Sequence, residues 1–253
     1  MECSKPVPTP VIENIKLSKD ETGKSMNITT YKSLIGSLRY LVATRPDISF
    51  GDGVLSRFME KPKESHWAAA KRILRYVKGT INDGILYFSN KIMELVGYTD
   101  SDWARDVKTR KSTSGYAFHL GSAIFSWSSK KQQVVALSTT EVEYIAVTNC
   151  ATQAIWLRKI LDFLQHKQDD STIIFCDNKS TIALSKNPVF HGRSKHIDIK
   201  YHKIREWVAE KQINIEYCPS EYQVADIFTK PMKTENFLKL KKAIGMTNIC
   251  DLV

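Results

Sequence analysis

Four carboxylates, Asp100, Glu143, Asp177 and Asp226, each fall at a predicted strand end or inside a predicted helix. Asp100 closes MELVGYTD, a run of Leu, Val and Tyr that reads as a strand, and Asp177 closes the clearer strand TIIFCD. Glu143 lies in STTEVEYIAV, early in a long amphipathic helix, and Asp226 lies in QVADIFTK, near the start of another. Acids are depleted in strands and are seldom buried without a partner. Several that converge repel one another unless a divalent cation neutralises them, and hard oxygen ligands suit Mg²⁺. Two such ions about 3.5–4 Å apart activate a water on one side of a phosphodiester and stabilise the leaving oxygen on the other. The pattern implies a metal-dependent phosphodiester-cleaving site, with Asp100 in the bridging position because it ends the predicted middle strand.

Singly, each acid has a plainer reading. Asp177-Asn178 would cap the helix that follows, and Asp226 would be a first-turn acid favoured by the helix dipole. It is the joint arrangement that outweighs these. Glu143 is preferred over Glu141 because, at 3.6 residues per turn, it shares a face with Ala146, Val147, Cys150, Ala154, Leu157 and Leu161, whereas Glu141 points with Thr148 and Thr152. Asp102, two residues after Asp100, points from the same strand face and is either an assisting acid or an exposed strand-end one.

The elements that must position these acids form a mixed α/β pattern. Residues 1–28 carry Pro6, Pro8 and Pro10 and read as an extended lead-in. Three helices follow, over Tyr31–Thr44, over Ile48–Met59 beyond the Arg45-Pro46-Asp47 break, and over HWAAAKRILRYVKG, capped by Ser65 and ended by Gly79. After the Asp100 strand come SGYAFHLG and AIFSWSS, joined at Gly121-Ser122 as a hairpin. A helix over about 139–164, the Asp177 strand, two helices (to Ser185 and over about 196–211), the strand INIEYC and two short C-terminal helices complete the order. The expected organisation is a lead-in at 1–28, a helical unit at 29–90, a five-stranded sheet domain at 91–232 and a helical tail at 233–253.

The 253 residues are 42% hydrophobic, with ten Tyr and ten Phe, enough for an ordinary globular core. A net charge of +10 favours a polyanionic partner such as nucleic acid. The helix at 66–78, with Lys71, Arg72, Arg75 and Lys78 and no acid, is the best phosphate-binding candidate, a solvated face being the equal alternative. Lys130-Lys131, and Lys108, Arg110 and Lys111, are further candidates. Trp103 and Trp127 read as packing rather than stacking residues. Five scattered cysteines without CxxC spacing argue against zinc and disulfide frameworks and for reduced thiols. With no apolar h-region at the start and no membrane-length apolar run, an intracellular protein of cytoplasm or nucleus is expected.

The motifs YTDSDWA, RKSTSGYAF, SWSSKKQ, STTEVEYIA, CDNKSTIAL, NPVFHGRSKHIDI and VADIFTKP occur in an order that closely resembles the RNase H domain of copia-type LTR-retrotransposon Pol polyproteins. Upstream, YKSLIGSLRYLVATRPDISF and LSRFMEKPKESHWAAAKRILRYVKGT resemble the segment between the reverse-transcriptase palm and RNase H. The resemblance implies an RNase H-like five-stranded sheet, two Mg²⁺ ions (Mn²⁺ as substitute) held by Asp100, Glu143, Asp177 and Asp226, and cleavage of the RNA strand of RNA–DNA hybrids. The glutamate comes second among the acids, as in RNase H, where integrases run Asp, Asp, Glu. Without a Tyr-x-Asp-Asp motif, no DNA polymerase activity is expected. The lead-in resembles a stretch internal to the polyprotein, so Met1 reads as an internal methionine and the absent palm as a former partner.

Three positions depart from the family pattern. Arg105 stands where a small residue is expected, and Lys203 replaces an aromatic. The CPSEYQ loop lacks the histidine that cellular enzymes carry before the last acid, leaving His196 or His202 as proton-shuttle candidates. A non-catalytic nucleic-acid-binding remnant, its N-terminal helices left with an uncovered apolar face, is the alternative to the nuclease.

Overall fold

A computed structural model describes residues 3–19, 22–89, 92–106, 108–186 and 198–252, without the side chains of 198–202. Helix α1 (Ile28–Leu41) starts where the Asn27 side chain accepts from Thr30 N at 3.0 Å and buries Tyr31, Ile35 and Leu38, one residue per turn. A 3₁₀ turn (Pro46–Ile48) forms at the expected break, and α2 (Ser49–Leu55) with another 3₁₀ turn (Ser56–Phe58) occupies what the sequence suggests is one helix over Ile48–Met59. Helix α3 (Glu64–Gly79) buries His66, Ala70, Ile73 and Tyr76. Its cap is Lys63 rather than Ser65, with the His66 ring accepting from the Lys63 backbone N–H at 3.0 Å. The Arg45-Pro46-Asp47 break is a buried knot. Arg45 Nη2 lies 2.7 Å from Asp47 Oδ2, and the Tyr76 hydroxyl donates to that same oxygen, tying α3 to the turn.

Strands β2 (Leu95–Ser101), β3 (Thr113–Leu120), β4 (Ala123–Lys131), β5 (Thr172–Cys176) and β6 (Ile213–Tyr217) form one mixed sheet in the order β4-β3-β2-β5-β6. β2, β3 and β4 run antiparallel as a meander; β5 and β6 join parallel to β2. This is the RNase H-like arrangement, with β2 in the middle. A separate two-stranded ribbon, absent from the sequence reading, pairs β1 (Asp83–Ile85) with β7 (Met246–Asn248). Helix α4 (Thr139–Phe163) is capped by the Ser138 hydroxyl, which accepts from Glu141 N at 3.1 Å. Shorter helices are α5 (Lys179–Lys186), α6 (Asp198–Ala209) and α7 (Thr234–Ala243).

The alternating side chains of the sheet feed two cores. On one face, Phe118, Ile174, Ile213 and Ile215 pack with Val147, Cys150, Ala154 and Leu157 of α4. On the other, Ala117 and Ile124 pack with Tyr31, Ile35 and Leu38 of α1, Ile73 and Tyr76 of α3, and Phe237 and Leu240 of α7. The apolar face of the N-terminal helices is thus covered by the sheet and the C-terminal helix. Among the described residues no helix is long and apolar enough to cross a membrane.

Candidate active site

Asp100 is the next-to-last residue of β2 and is buried. The parallel register pairs Tyr98 with Phe175, so Asp177, just past β5, stands level with Asp100 at the carboxyl end of the sheet. Glu143, in the second turn of α4, faces the same point: its Oε1 accepts from Ser101 N at 3.2 Å, while its Oε2 is buried with no hydrogen-bond partner. Asp226 arrives from a 3₁₀ turn (Val224–Phe228), not from the helix the sequence suggests. Its placement depends on Gly115, which pairs with Asp100 across β2 and β3. A Cβ on Gly115 would stand 2.7 Å from Phe228 Cβ and 2.8 Å from Thr229 Cγ2, so only glycine lets the turn sit on the strand.

The structure brings all four acids to one place. Asp100 is their electrostatic hub. Burial first, then the charges of Asp100 and Asp177, push Glu143 up to about 10. Burial and Asp100 push Asp226 up to about 8. Asp177 is also raised, by burial and then by Asp100. Like charges about 4 Å apart repel by about 4 kcal/mol at an effective dielectric near 20, so this cluster calls for cations. The donor set, all carboxylate oxygen around a buried unpartnered Oε2, fits hard divalent ions.

Part of that positive charge comes from the chain itself. Lys230 Nζ lies 2.8 Å from Asp226 Oδ1 and 3.8 Å from Asp100 Oδ2. The closer contact is an ion pair between residues four apart in the chain. Burial alone would lower the Lys230 ammonium, but Asp100 and Asp226 outweigh it and raise it. The Thr229 hydroxyl donates to Asp100 Oδ2, and Ser220 donates to Asp177 Oδ2 at 3.0 Å. Behind the acids, Gln132 Nε2 donates to Ser114 Oγ (2.7 Å), Val142 O (3.1 Å) and Ser101 Oγ (3.2 Å), bracing β2, β3 and the start of α4. Sequence reasoning missed Lys230, Thr229, Gly115 and Gln132. Lys230 at four residues from Asp226 and a glycine inside a strand were the available signals.

Other candidates find different work. Glu141 Oε2 accepts from Leu137 N at 2.8 Å and serves the α4 cap, leaving Glu143 to face Asp100. Asp102 is buried, accepts from Thr113 N and is raised to about 6, chiefly by burial. It lines a cavity of about 420 Å³ with Arg57, Arg105 and Arg110. Arg105 is exposed and donates to Glu13 O at 3.4 Å, so it does not fill the acid site. Trp127 packs against the core, whereas Trp103 is exposed, contrary to the packing reading.

The basic helix is turned to a different use from the one expected. Arg72 Nη2 donates to Thr9 Oγ1 (2.9 Å), Arg75 Nε to Lys5 O (2.7 Å) and Lys78 Nζ to Ser4 O (3.1 Å), so these three hold the lead-in. Lys71 stacks over Trp67. Lys131 Nζ pairs with Asp106 Oδ2 at 2.5 Å, and Lys130 is exposed beside it on β4. His196, most of the NPVFHGRSKHIDI motif and the side chain of His202 lie outside the described residues.

No family model matches the chain. By sequence it is 43% identical over 254 aligned residues to the retrovirus-related Pol polyprotein from transposon TNT 1-94 of Nicotiana tabacum, covering 97% of this chain and 19% of that protein. It is 41% identical over 249 to the corresponding polyprotein from transposon RE1 of Arabidopsis thaliana, covering 98% and 17%. The chain therefore spans about a fifth of the length of these curated relatives. By shape it aligns with the N-terminal RNase H domain of a Mycobacterium tuberculosis protein at a TM-score of 0.41 and 13% identity, covering 59% of this chain and 97% of that one. That likeness is slight, and it is the strand order and directions that carry the fold class. Through its identity to these polyproteins along nearly its whole length, the chain belongs to the copia-type, retrovirus-related Pol polyproteins.

Proposed function

We propose that the chain is a divalent-metal-dependent ribonuclease that cuts the RNA strand of an RNA–DNA hybrid, with residues 91–232 as the nuclease unit. The observation that carries this is the convergence of Asp100, Glu143, Asp177 and Asp226 around the unpartnered Glu143 Oε2 at the carboxyl end of the central strand. Asp100, Glu143, Asp177 and Asp226 would hold Mg²⁺ or Mn²⁺. Bound there, two such ions supply an activated water and charge neutralisation at the leaving oxygen. Asp100 is the central acid of the site, because its charge acts on each of the other three. Ser101 N–H orients Glu143, Ser220 orients Asp177 and Thr229 orients Asp100, so the acids are aimed before substrate arrives. Lys230 partly neutralises Asp226 and Asp100. The hybrid would be held through phosphates and shape rather than sequence, with Lys130 and the arginine-lined cavity beside Asp102 as cationic contacts.

One observation favours a second reading, a nucleic-acid-binding remnant without catalysis. The Lys230 ammonium already sits on Asp226 and near Asp100, so the acids are partly balanced without metal. Incubating purified chain with a labelled hybrid and Mg²⁺ separates the two. Nicked RNA supports the nuclease, whereas bound but intact hybrid supports the remnant.

A further inference from the structure

Cys176 ends β5, one residue before Asp177, and its thiol is buried on the face that α4 covers. A ligand atom from each of Glu143, Cys176 and Asp177 lies within 4.8 Å of the other two. Independently, Glu143 is only 7% exposed, and its Oε2 has no hydrogen-bond partner. We propose that Glu143, Cys176 and Asp177 form a site for a thiophilic divalent ion, Zn²⁺ or Cd²⁺, on the floor of the acid cluster. Such an ion takes Glu143 and Asp177 away from Mg²⁺ and so inhibits, a consequence that rests on the nuclease reading; the binding itself does not.

The chemistry of the donors separates the two classes of ion. Mg²⁺ keeps oxygen ligands and several waters, whereas a thiolate selects softer metals. Zinc bonds of about 2.3 Å to sulfur and 2.0–2.2 Å to oxygen, at the tetrahedral angle, place two ligand atoms on one ion about 3.4–3.6 Å apart. Ligand atoms within 4.8 Å therefore close onto an ion when each moves by up to about 0.7 Å, within the reach of side-chain rotation. Three protein ligands with water in the fourth position make an exchangeable site. On binding, the S–H bond of Cys176 breaks, a sulfur–metal bond forms and the proton leaves to solvent, with no change in oxidation state.

The test is a Cd²⁺ titration of the full chain, followed by the ultraviolet thiolate-to-cadmium charge-transfer band. The exposed Cys3 and Cys250 are first replaced by Ser. The band is expected to saturate at one equivalent and to vanish on Cys176→Ser. Asp177→Asn is expected to raise the half-saturating Cd²⁺ at least about tenfold. No band, or a band unchanged by Cys176→Ser, overturns the proposal. If Cys176→Ser does not fold, Asp177→Asn decides alone, because an unmoved half-saturation overturns it too. Mg²⁺-dependent cleavage of a hybrid is measured on the same preparation. Cleavage without a Cys176-dependent band removes the thiol site and leaves the nuclease. A Cys176-dependent band without cleavage leaves the thiol site and removes the nuclease.

Discussion

Lys230 Nζ stands 2.8 Å from Asp226 Oδ1, the carboxylate four residues before it, and this ion pair is the resident positive charge of the acid cluster. Lys230 is about one-third exposed and Asp226 is nearly buried, so the pair is worth more than a surface bridge and less than a fully buried one. Measured above about pH 8, where Asp226 is ionised, Lys230→Met is expected to lower the stability of the metal-free chain by about 1–2 kcal/mol. Saturating Mg²⁺ should close most of that gap, because the metal replaces the missing charge. Chemical denaturation with and without Mg²⁺ measures both. A Lys230→Met chain as stable as the parent without metal would contradict the pairing.

The same acids make stability depend on pH. Glu143 and Asp226 titrate at about 10 and 8 in the fold, against 4.5 and 3.8 ordinarily. The folded chain therefore keeps protons that the unfolded chain has released. Their contribution is complete below about pH 4 and is lost as pH rises through 8 for Asp226 and 10 for Glu143. Melting curves of the metal-free chain should fall in temperature between roughly pH 6 and pH 9, and the gain from Mg²⁺ should grow over that interval. A gain from Mg²⁺ that is the same at both ends would show that these carboxyl groups are not the metal's ligands.

Gly115→Ala is a test of how the fourth acid is delivered. The new methyl would meet Phe228 and Thr229 at under 3 Å and push the turn carrying Asp226 off β3. Overpacking of this kind costs about 1–3 kcal/mol. Cleavage activity should fall further than stability does, because Asp226 moves relative to Asp100. Stability from denaturation and rates at saturating Mg²⁺ are compared for this variant. Equal activity at reduced stability would mean that the position of the turn is not critical.

Arg75 reaches Lys5 O at 2.7 Å, and this contact separates two uses of the basic helix. Arg75→Ala is expected to speed proteolysis within residues 3–10 and to leave hybrid affinity within about twofold. Lys130→Ala should instead weaken hybrid binding and reduce the salt slope by about one. Binding isotherms over a salt series distinguish them. A large loss of affinity in Arg75→Ala alone would return the helix to the phosphate-binding role.

Asp100, Asp177 and the preference for Glu143 were legible in the sequence because strand ends and helix faces have fixed periods, 2.0 and 3.6, that survive without tertiary context. The hairpin at Gly121 was legible for a similar local reason: that residue adopts a φ of 71°. The rest depends on residues far apart in the chain. No local pattern says that Arg72, Arg75 and Lys78 will hold a lead-in some seventy residues earlier. The β1–β7 ribbon joins Asp83 to Asn248, and its three-residue strands carry too little periodicity to be seen. The 3₁₀ geometry around Asp226 arises where the turn lands on Gly115, a packing constraint that helix propensity does not contain.

The most direct measurement is cleavage of a labelled RNA–DNA hybrid by purified chain in Mg²⁺, beside Asp100→Asn at equal hybrid occupancy. The four-carboxylate account predicts nicking confined to the RNA strand, and a loss of at least about a hundredfold in rate for Asp100→Asn, or about 2.7 kcal/mol of barrier. Intact hybrid at concentrations where the chain binds it, or an Asp100→Asn chain that cuts as fast as its parent, would contradict it.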